Sequence, residues 1–139
     1  MPLILIVNDE PDLVEVCSVV LEGEGYAVRG LLEGSKVASV ARELNPDLII
    51  LDWVIPDLHG TQVLRLLRQS ETDHHIPVMM ISALPDAEAQ SQLAGADAFL
   101  AKPFDADQLA DKVEATLRQA RAKRSHNGAR PNGGRTSPD

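Results

Sequence analysis

Asp52 closes an apolar run, Leu48-Ile49-Ile50-Leu51, and is followed by the turn-rich segment Trp53-Val54-Ile55-Pro56-Asp57-Leu58-His59-Gly60. A short apolar run that ends in one carboxylate and then a Pro/Gly turn places that carboxylate at the C-terminal end of a buried strand. Three other runs end in polar chemistry. Leu3-Ile4-Leu5-Ile6-Val7 leads into Asn8-Asp9-Glu10, Pro77-Val78-Met79-Met80-Ile81 into Ser82, and Ala98-Phe99-Leu100-Ala101 into Lys102-Pro103. Open α/β sheets bind ligands along the rim where their strands end. Carboxylates, a hydroxyl and an ammonium are thereby delivered to one rim.

The elements that must position these groups are readable from periodicity. Strands are expected over residues 3–7, 26–30, 47–52, 77–81 and 97–101, with helices over 10–23, 35–44, 60–69, 86–94 and 105–121. Val63, Leu64 and Leu67 line one face of the third helix, and Ala106, Leu109, Ala110, Val113 and Leu117 one face of the fifth. Alternating strands and helices, with strands apolar along nearly their whole length, predict a parallel sheet covered on both faces. Right-handed crossovers then make it a doubly wound sandwich. Gly23 and Gly25 fit the end of the first helix and Gly95 the end of the fourth, while Asp105 is placed to cap the fifth.

The 139 residues suffice for one domain, expected over 1–120, and the Arg/Lys/Ser/Asn/Gly/Pro composition of 121–139 reads as a flexible basic tail. With 44% hydrophobic and 24% charged residues the chain reads as a soluble globular protein. No apolar stretch reaches membrane-spanning length and no signal peptide is legible, so a cytoplasmic location is expected. Residues 1–120 carry 8 Lys/Arg against 20 Asp/Glu, and 121–139 carry 5 against 1. An acidic body argues against direct nucleic-acid binding. Cys17 is the single cysteine, which excludes an intramolecular disulfide. Its helical-face company of Leu13, Val16, Val20 and Leu21 marks it as a buried small hydrophobe.

Asn8-Asp9, Asp52, Ser82 and Lys102-Pro103, each following its strand in this order, together resemble the receiver domain of two-component response regulators over about residues 3–120. The stretches Asp52 to Gly60 and Gly95 to Phe104 look especially like that family. The resemblance implies a flavodoxin-like doubly wound (βα)5 sandwich with a five-stranded parallel sheet. It also implies a phosphoacceptor role for Asp52, charged from a phosphohistidine on a histidine kinase or phosphotransfer protein. A carboxylate attacking an anionic phosphoryl group needs a divalent cation and positive side chains to offset repulsion. By resemblance, Mg2+ (or Mn2+) would be held by Asp9, Asp52 and the backbone carbonyl of Val54, with Asn8 acting indirectly. Lys102 and Ser82 would hold phosphoryl oxygens, and Ser82 with Phe99 would form the switch, Phe99 reporting by packing alone. Val54 and Leu84 match the positions that gate water to the phosphorus.

Three departures stand out. Asn8 replaces the first of the two acids common after the first strand, which predicts weaker metal binding. The stretch from Ser82 to Lys102 is about two residues shorter than is usual, which questions the face of the fourth helix, fifth strand and fifth helix as the output surface. Residues 121–139 show no helix-turn-helix pattern, so the module is expected to act without a second domain. The expected function is a phosphoacceptor module that signals to a downstream protein, as a monomer or weak homodimer, and is not an enzyme beyond its own phosphoryl transfer and autodephosphorylation. The alternative is a non-phosphorylated pseudo-receiver acting as a protein-interaction module. A phosphohydrolase is disfavoured because Val54 stands where such enzymes place a second acid. His59, His74 and His75 gain no support as ligands, and the pair His74-His75 is expected to face water.

Overall fold

The computed structural model describes residues 1–55, 57–70 and 75–128. Strands β1 (Leu3–Val7), β2 (Ala27–Leu31), β3 (Leu48–Asp52), β4 (Val78–Ser82) and β5 (Ala98–Ala101) alternate with helices α1 (Pro11–Gly23), α2 (Val37–Leu44), α3 (Gly60–Ser70), α4 (Ala87–Ala94) and α5 (Ala106–Gly128). A 3-10 turn, Gly34–Lys36, leads into α2. The strands form one parallel sheet in the order β2-β1-β3-β4-β5. Strand order reverses beside β1, so β1 and β3 diverge into helices on opposite faces and leave a crevice at their C-terminal ends.

Two apolar layers explain why the central strands read as continuous hydrophobic runs. Leu5, Val7, Ile49, Leu51, Val78 and Met80 pack toward one cluster, which includes Val37 and Ala41 of α2 and Val63, Leu64 and Leu67 of α3. Their neighbours Ile4, Ile6, Leu48, Ile50, Met79 and Ile81 pack toward the other, with Cys17 and Leu21 of α1 and Leu109, Val113 and Leu117 of α5. Period-two alternation therefore feeds both faces, as a covered parallel sheet requires.

Helix boundaries follow local chemistry. Pro11 opens α1, where its missing N–H costs nothing. Gly95, at φ +103, ends α4 in the left-handed region, and Ala96 donates back to the Ser91 carbonyl at 2.9 Å. Asp105 caps α5 reciprocally: its Oδ1 accepts from the Gln108 N–H at 2.8 Å, and Gln108 Oε1 accepts from the Asp105 N–H at 2.9 Å. Two expectations need correction. Helix α5 continues to Gly128, so residues 121–128, placed by composition in the tail, are helical; once the cap and the packed first turns nucleate α5, Arg, Ala and Lys extend it. Residues 129–139 lie outside the described residues. Val16 is 60% exposed and does not share the buried face of Cys17 and Leu21. No described helix is long and apolar enough to cross a membrane.

Gly60 is the glycine on which the rim depends. A Cβ there would lie 2.9 Å from the carbonyl oxygens of both Asp52 and Trp53 and 2.7 Å from Met80 Cε. Backbone atoms cannot swing away, so Gly60→Ala should destabilise the fold by about 1–3 kcal/mol, as overpacking does. Gly23→Ala, with nothing within 4 Å of the added carbon, should leave stability unchanged or slightly raised. Urea unfolding midpoints check both, and an unshifted Gly60→Ala midpoint would contradict the close-approach account.

Candidate functional site

Asp52 ends the central strand β3 and is only 6% exposed. Its carboxylate faces the Lys102 ammonium, with Nζ 3.4 Å from Oδ1 and 3.5 Å from Oδ2. These distances are long for a charge-assisted hydrogen bond and describe an ion pair that holds Lys102 loosely. Burial pushes the Asp52 carboxyl above the ordinary carboxylate range. Lys102 and the Val54 N–H pull it back, and the charge of Asp9 adds to the rise. Desolvation outweighs its positive partner, so the ionised form wants more positive charge than the protein supplies.

Asp9, Asp52, Val54, Ser82, Leu84 and Lys102 line one cleft of about 360 Å³. Four strand ends thus converge as their order in sequence required. Ser82 is buried at 3% exposure. Its Oγ accepts from the Leu84 N–H at 2.9 Å, which leaves the hydroxyl proton available for another acceptor. Lys102 is tied to the same strand, its N–H donating to the Ser82 carbonyl at 2.9 Å, and the Lys102–Pro103 peptide is cis. Val54 and Leu84 add apolar side chains to the cleft lining, 57% and 52% exposed.

Asn8 and Phe99 stand outside that cleft lining. Asn8 is buried, and its Oδ1 accepts from the Glu10 N–H at 2.9 Å, bending the chain so that Asp9 and Glu10 project at the rim. Phe99 is partly buried against the cluster that contains Trp53, Ile55 and Met80. Among the described residues no group of three or more His, Cys, Asp or Glu side chains is placed to hold a metal ion. A cation at Asp9 and Asp52 would therefore lean on main-chain oxygen and water, which is the habit of Mg2+. The donor set fits that ion.

Two residues of the loop between β3 and α3 were missed as structural actors. His59 caps α3: its Nδ1 accepts from the Thr61 N–H at 3.1 Å, and its own N–H donates to Gln62 Oε1 at 2.9 Å. The Gln three residues on was a legible capping-box signal, masked because His is an uncommon cap. The His59 ring also meets Trp53 edge to face, centroids 4.6 Å apart. Asp57 Oδ1 accepts from the Gly34 N–H at 3.0 Å and Oδ2 from the Ser35 N–H at 2.9 Å. The Ser35 and then the Gly34 N–H hold its carboxyl below the ordinary range. Nothing local in the sequence announces a contact across more than twenty residues.

His75 lies away from the cleft, before β4, where its Nε2 is 2.8 Å from Asp97 Oδ1, and Arg68 reaches Asp97 Oδ2 at 2.9 Å. It is half exposed and paired, which fits a role at the surface rather than at a metal. His74 lies outside the described residues. Beside the cleft, and sharing Asp9 and Lys102 with it, a groove of about 950 Å³ runs between α1 and the start of α5 over Leu13, Val16, Val20 and Phe104. At its edge Cys17 is buried, and burial pushes its thiol up, as expected for an inert core cysteine.

The raised Asp52 carboxyl makes a signed prediction for the metal-free protein. A carboxyl whose folded value lies above its unfolded one stabilises the fold only while protonated, and that contribution is lost as pH rises through the folded value. At neutral pH ionised Asp52 therefore works against folding. Asp52→Asn should raise the melting temperature by a few degrees at pH 7, and the gain should shrink toward zero below pH 4. Thermal denaturation across pH checks this; a gain that grows on acidification would contradict it.

Comparison with known proteins agrees with this geometry. Residues 4–114 match the family model described as the response regulator receiver domain. The chain is 40% identical over 121 residues to the DNA-binding dual master transcriptional regulator RpaA of Synechocystis, covering 86% of this chain and 50% of that one. It is 37% identical over 118 residues to the DNA-binding response regulator MtrA of Mycolicibacterium smegmatis, covering 84% and 50%. Among solved structures, one of a response regulator from Chloroflexus aurantiacus superposes with a TM-score of 0.75 at 31% identity, over 84% of this chain and 98% of the other. The chain spans about half the length of the curated relatives it matches. With its five parallel strands and their rim of Asp9, Asp52, Ser82 and Lys102, this chain belongs to the response regulator receiver family.

Proposed function

We propose that the chain is the phosphoacceptor of a histidine-kinase two-component phosphorelay, taking a phosphoryl group on Asp52. The observation that carries this reading is the buried Asp52 carboxylate facing a loosely held Lys102 at the mouth of a cleft that also contains Asp9 and Ser82. A carboxylate oxygen of Asp52 attacks the phosphorus of a phosphohistidine, an oxygen–phosphorus bond forms, and the nitrogen–phosphorus bond breaks as the imidazole leaves. Transfer puts a new anion into the cleft. Lys102 holds it as a point charge, and the Ser82 hydroxyl, already fixed by the Leu84 N–H, donates its proton to a phosphoryl oxygen. Asp9, Asp52 and the Val54 carbonyl would hold Mg2+ (or Mn2+), whose role is to neutralise charge on the transferring group.

Signalling then follows from a population shift: Ser82 and Phe99 settle into the arrangement that the phosphoryl group favours. The donor is a histidine kinase or phosphotransfer protein, and the groove over Leu13, Val16 and Phe104 gives it an apolar seat beside Asp52. A downstream protein reads the change. A second reading is favoured by one observation. Asn8 carries no charge and its oxygen is already engaged by the Glu10 N–H, as suits a pseudo-receiver that interacts without being phosphorylated.

Mass spectrometry after incubation with acetyl phosphate and Mg2+ separates the two. The phosphoacceptor gains one phosphoryl group, and Asp52→Asn gains none; no gain in the wild type favours the pseudo-receiver. Lifetime of the product is the further expectation. Val54 and Leu84 cannot hydrogen-bond a water yet can cover the phosphorus, so the phosphorylated form should decay slowly. The double variant Val54→Asn/Leu84→Glu should speed decay at least tenfold, about 1.4 kcal/mol of barrier, measured as loss of the phosphorylated species with time. Unchanged decay would mean these side chains do not gate water.

A further inference from the structure

The first turn before α2 lacks its own cap. Glu33, at the cap position of the 3-10 turn Gly34–Lys36, makes no side-chain hydrogen bond to it, yet the turn's leading N–H groups are satisfied. Asp57 satisfies them from the loop between β3 and α3, one carboxylate oxygen to each of Gly34 and Ser35. An anion at exposed helical N–H groups is favoured both by charge-assisted hydrogen bonding and by the local dipole. Packing holds the same junction. A Cβ on Gly34 would stand 2.8 Å from Val63 Cγ2 and 3.3 Å from Asp57 Oδ1, so the turn sits hard against α3 and the loop at once.

The other end of that loop is fixed to β4, the strand that pairs with β3 beside Asp52. Trp53 donates its N–H to the Ile81 carbonyl at 2.8 Å, and Gly60 donates to the Trp53 carbonyl at 2.9 Å. The Val54 N–H faces the Asp52 carboxylate, and Val54 pairs with His59 across the loop. A change in the charge or contacts of Asp52 therefore acts on Val54, then on a loop whose far side carries Asp57. We propose that Asp57 is a latch joining the acceptor loop to the start of α2, so that loading of Asp52 is reported on the α2 side of the molecule. This rests on the reading of Asp52 as phosphoacceptor. It adds a route that does not pass through Ser82 and Phe99.

Amide hydrogen exchange of the full chain, read by NMR at Gly34, Ser35 and Gly60, tests the latch in two arms. Without metal or ligand, Asp57→Ala should speed exchange at Gly34, Ser35 and Gly60 at least tenfold while Ile4 and Ile50 in the sheet are unaffected; Asp57→Asn, which keeps one acceptor oxygen, should fall between. Speeding confined to Gly34 and Ser35 would overturn the latch, since the loop would then not feel α2. With Mg2+ and beryllofluoride, whose uptake is followed separately by Trp53 emission, the wild type should change exchange at Gly34 and Ser35 at least threefold and Asp57→Ala should not. No change in the loaded wild type, or an equal change in loaded Asp57→Ala, overturns it. Absence of uptake contradicts the phosphoacceptor reading instead, and the latch is then decided by the ligand-free arm.

Discussion

A carboxylate buried at the end of the central strand, with one ammonium for company, is the constraint around which the rest of the rim is arranged. Lys102 stands at 3.4 and 3.5 Å from the two oxygens of Asp52, near enough to favour ionisation and too far to lock it. Burial wins the contest for the carboxyl, which is why its proton affinity rises. A fully satisfied ion pair would have to be pulled apart before any new anion could enter the cleft beside Lys102. The fold keeps this pair unsatisfied. It accepts a local loss of stability at the site, held in place by two apolar layers that do not share it.

Strand ends were the legible part of this molecule. A parallel sheet covered on both faces writes its strands as unbroken apolar runs, and the first polar residue after each run must lie on the rim, so Asn8, Asp52, Ser82 and Lys102 declared their positions. Asp105 and Gly95 were legible for the same reason, since capping chemistry is local. Contacts without local grammar were not. The hydrogen bonds of Asp57 to Gly34 and Ser35 depend on how two loops meet after the sheet has formed. The reach of α5 to Gly128 was hidden because a polar segment continues a helix on propensity alone, without the apolar stripe that marks one in sequence. Val16 was misread because α1 borders an open groove, so one residue of an apparent apolar face is uncovered.

The loop from Trp53 to His59 joins these themes. Its first residue is buried, bonds to β4 and meets the His59 ring, its middle reaches the 3-10 turn ahead of α2 through Asp57, and its end caps α3. One short segment is thus bonded to β4, to the 3-10 turn ahead of α2 and to the first turn of α3. Trp53, Asp57 and His59 are its three anchoring points among the described residues. Gly60 permits this by letting α3 start directly against the Asp52 and Trp53 carbonyls.

The most direct measurement is chemical mapping of the phosphorylated carboxyl. Borohydride reduces an acyl phosphate to an alcohol, which converts a phosphorylated aspartate to homoserine at its own position in the chain. Treatment of the acetyl-phosphate-labelled protein followed by peptide sequencing should find homoserine at position 52 and nowhere else, in an amount that falls with chelation of divalent cations. Homoserine at Asp9 or Asp57, or none in a chain that still carries the phosphoryl group, would contradict the assignment of the buried carboxylate as the acceptor.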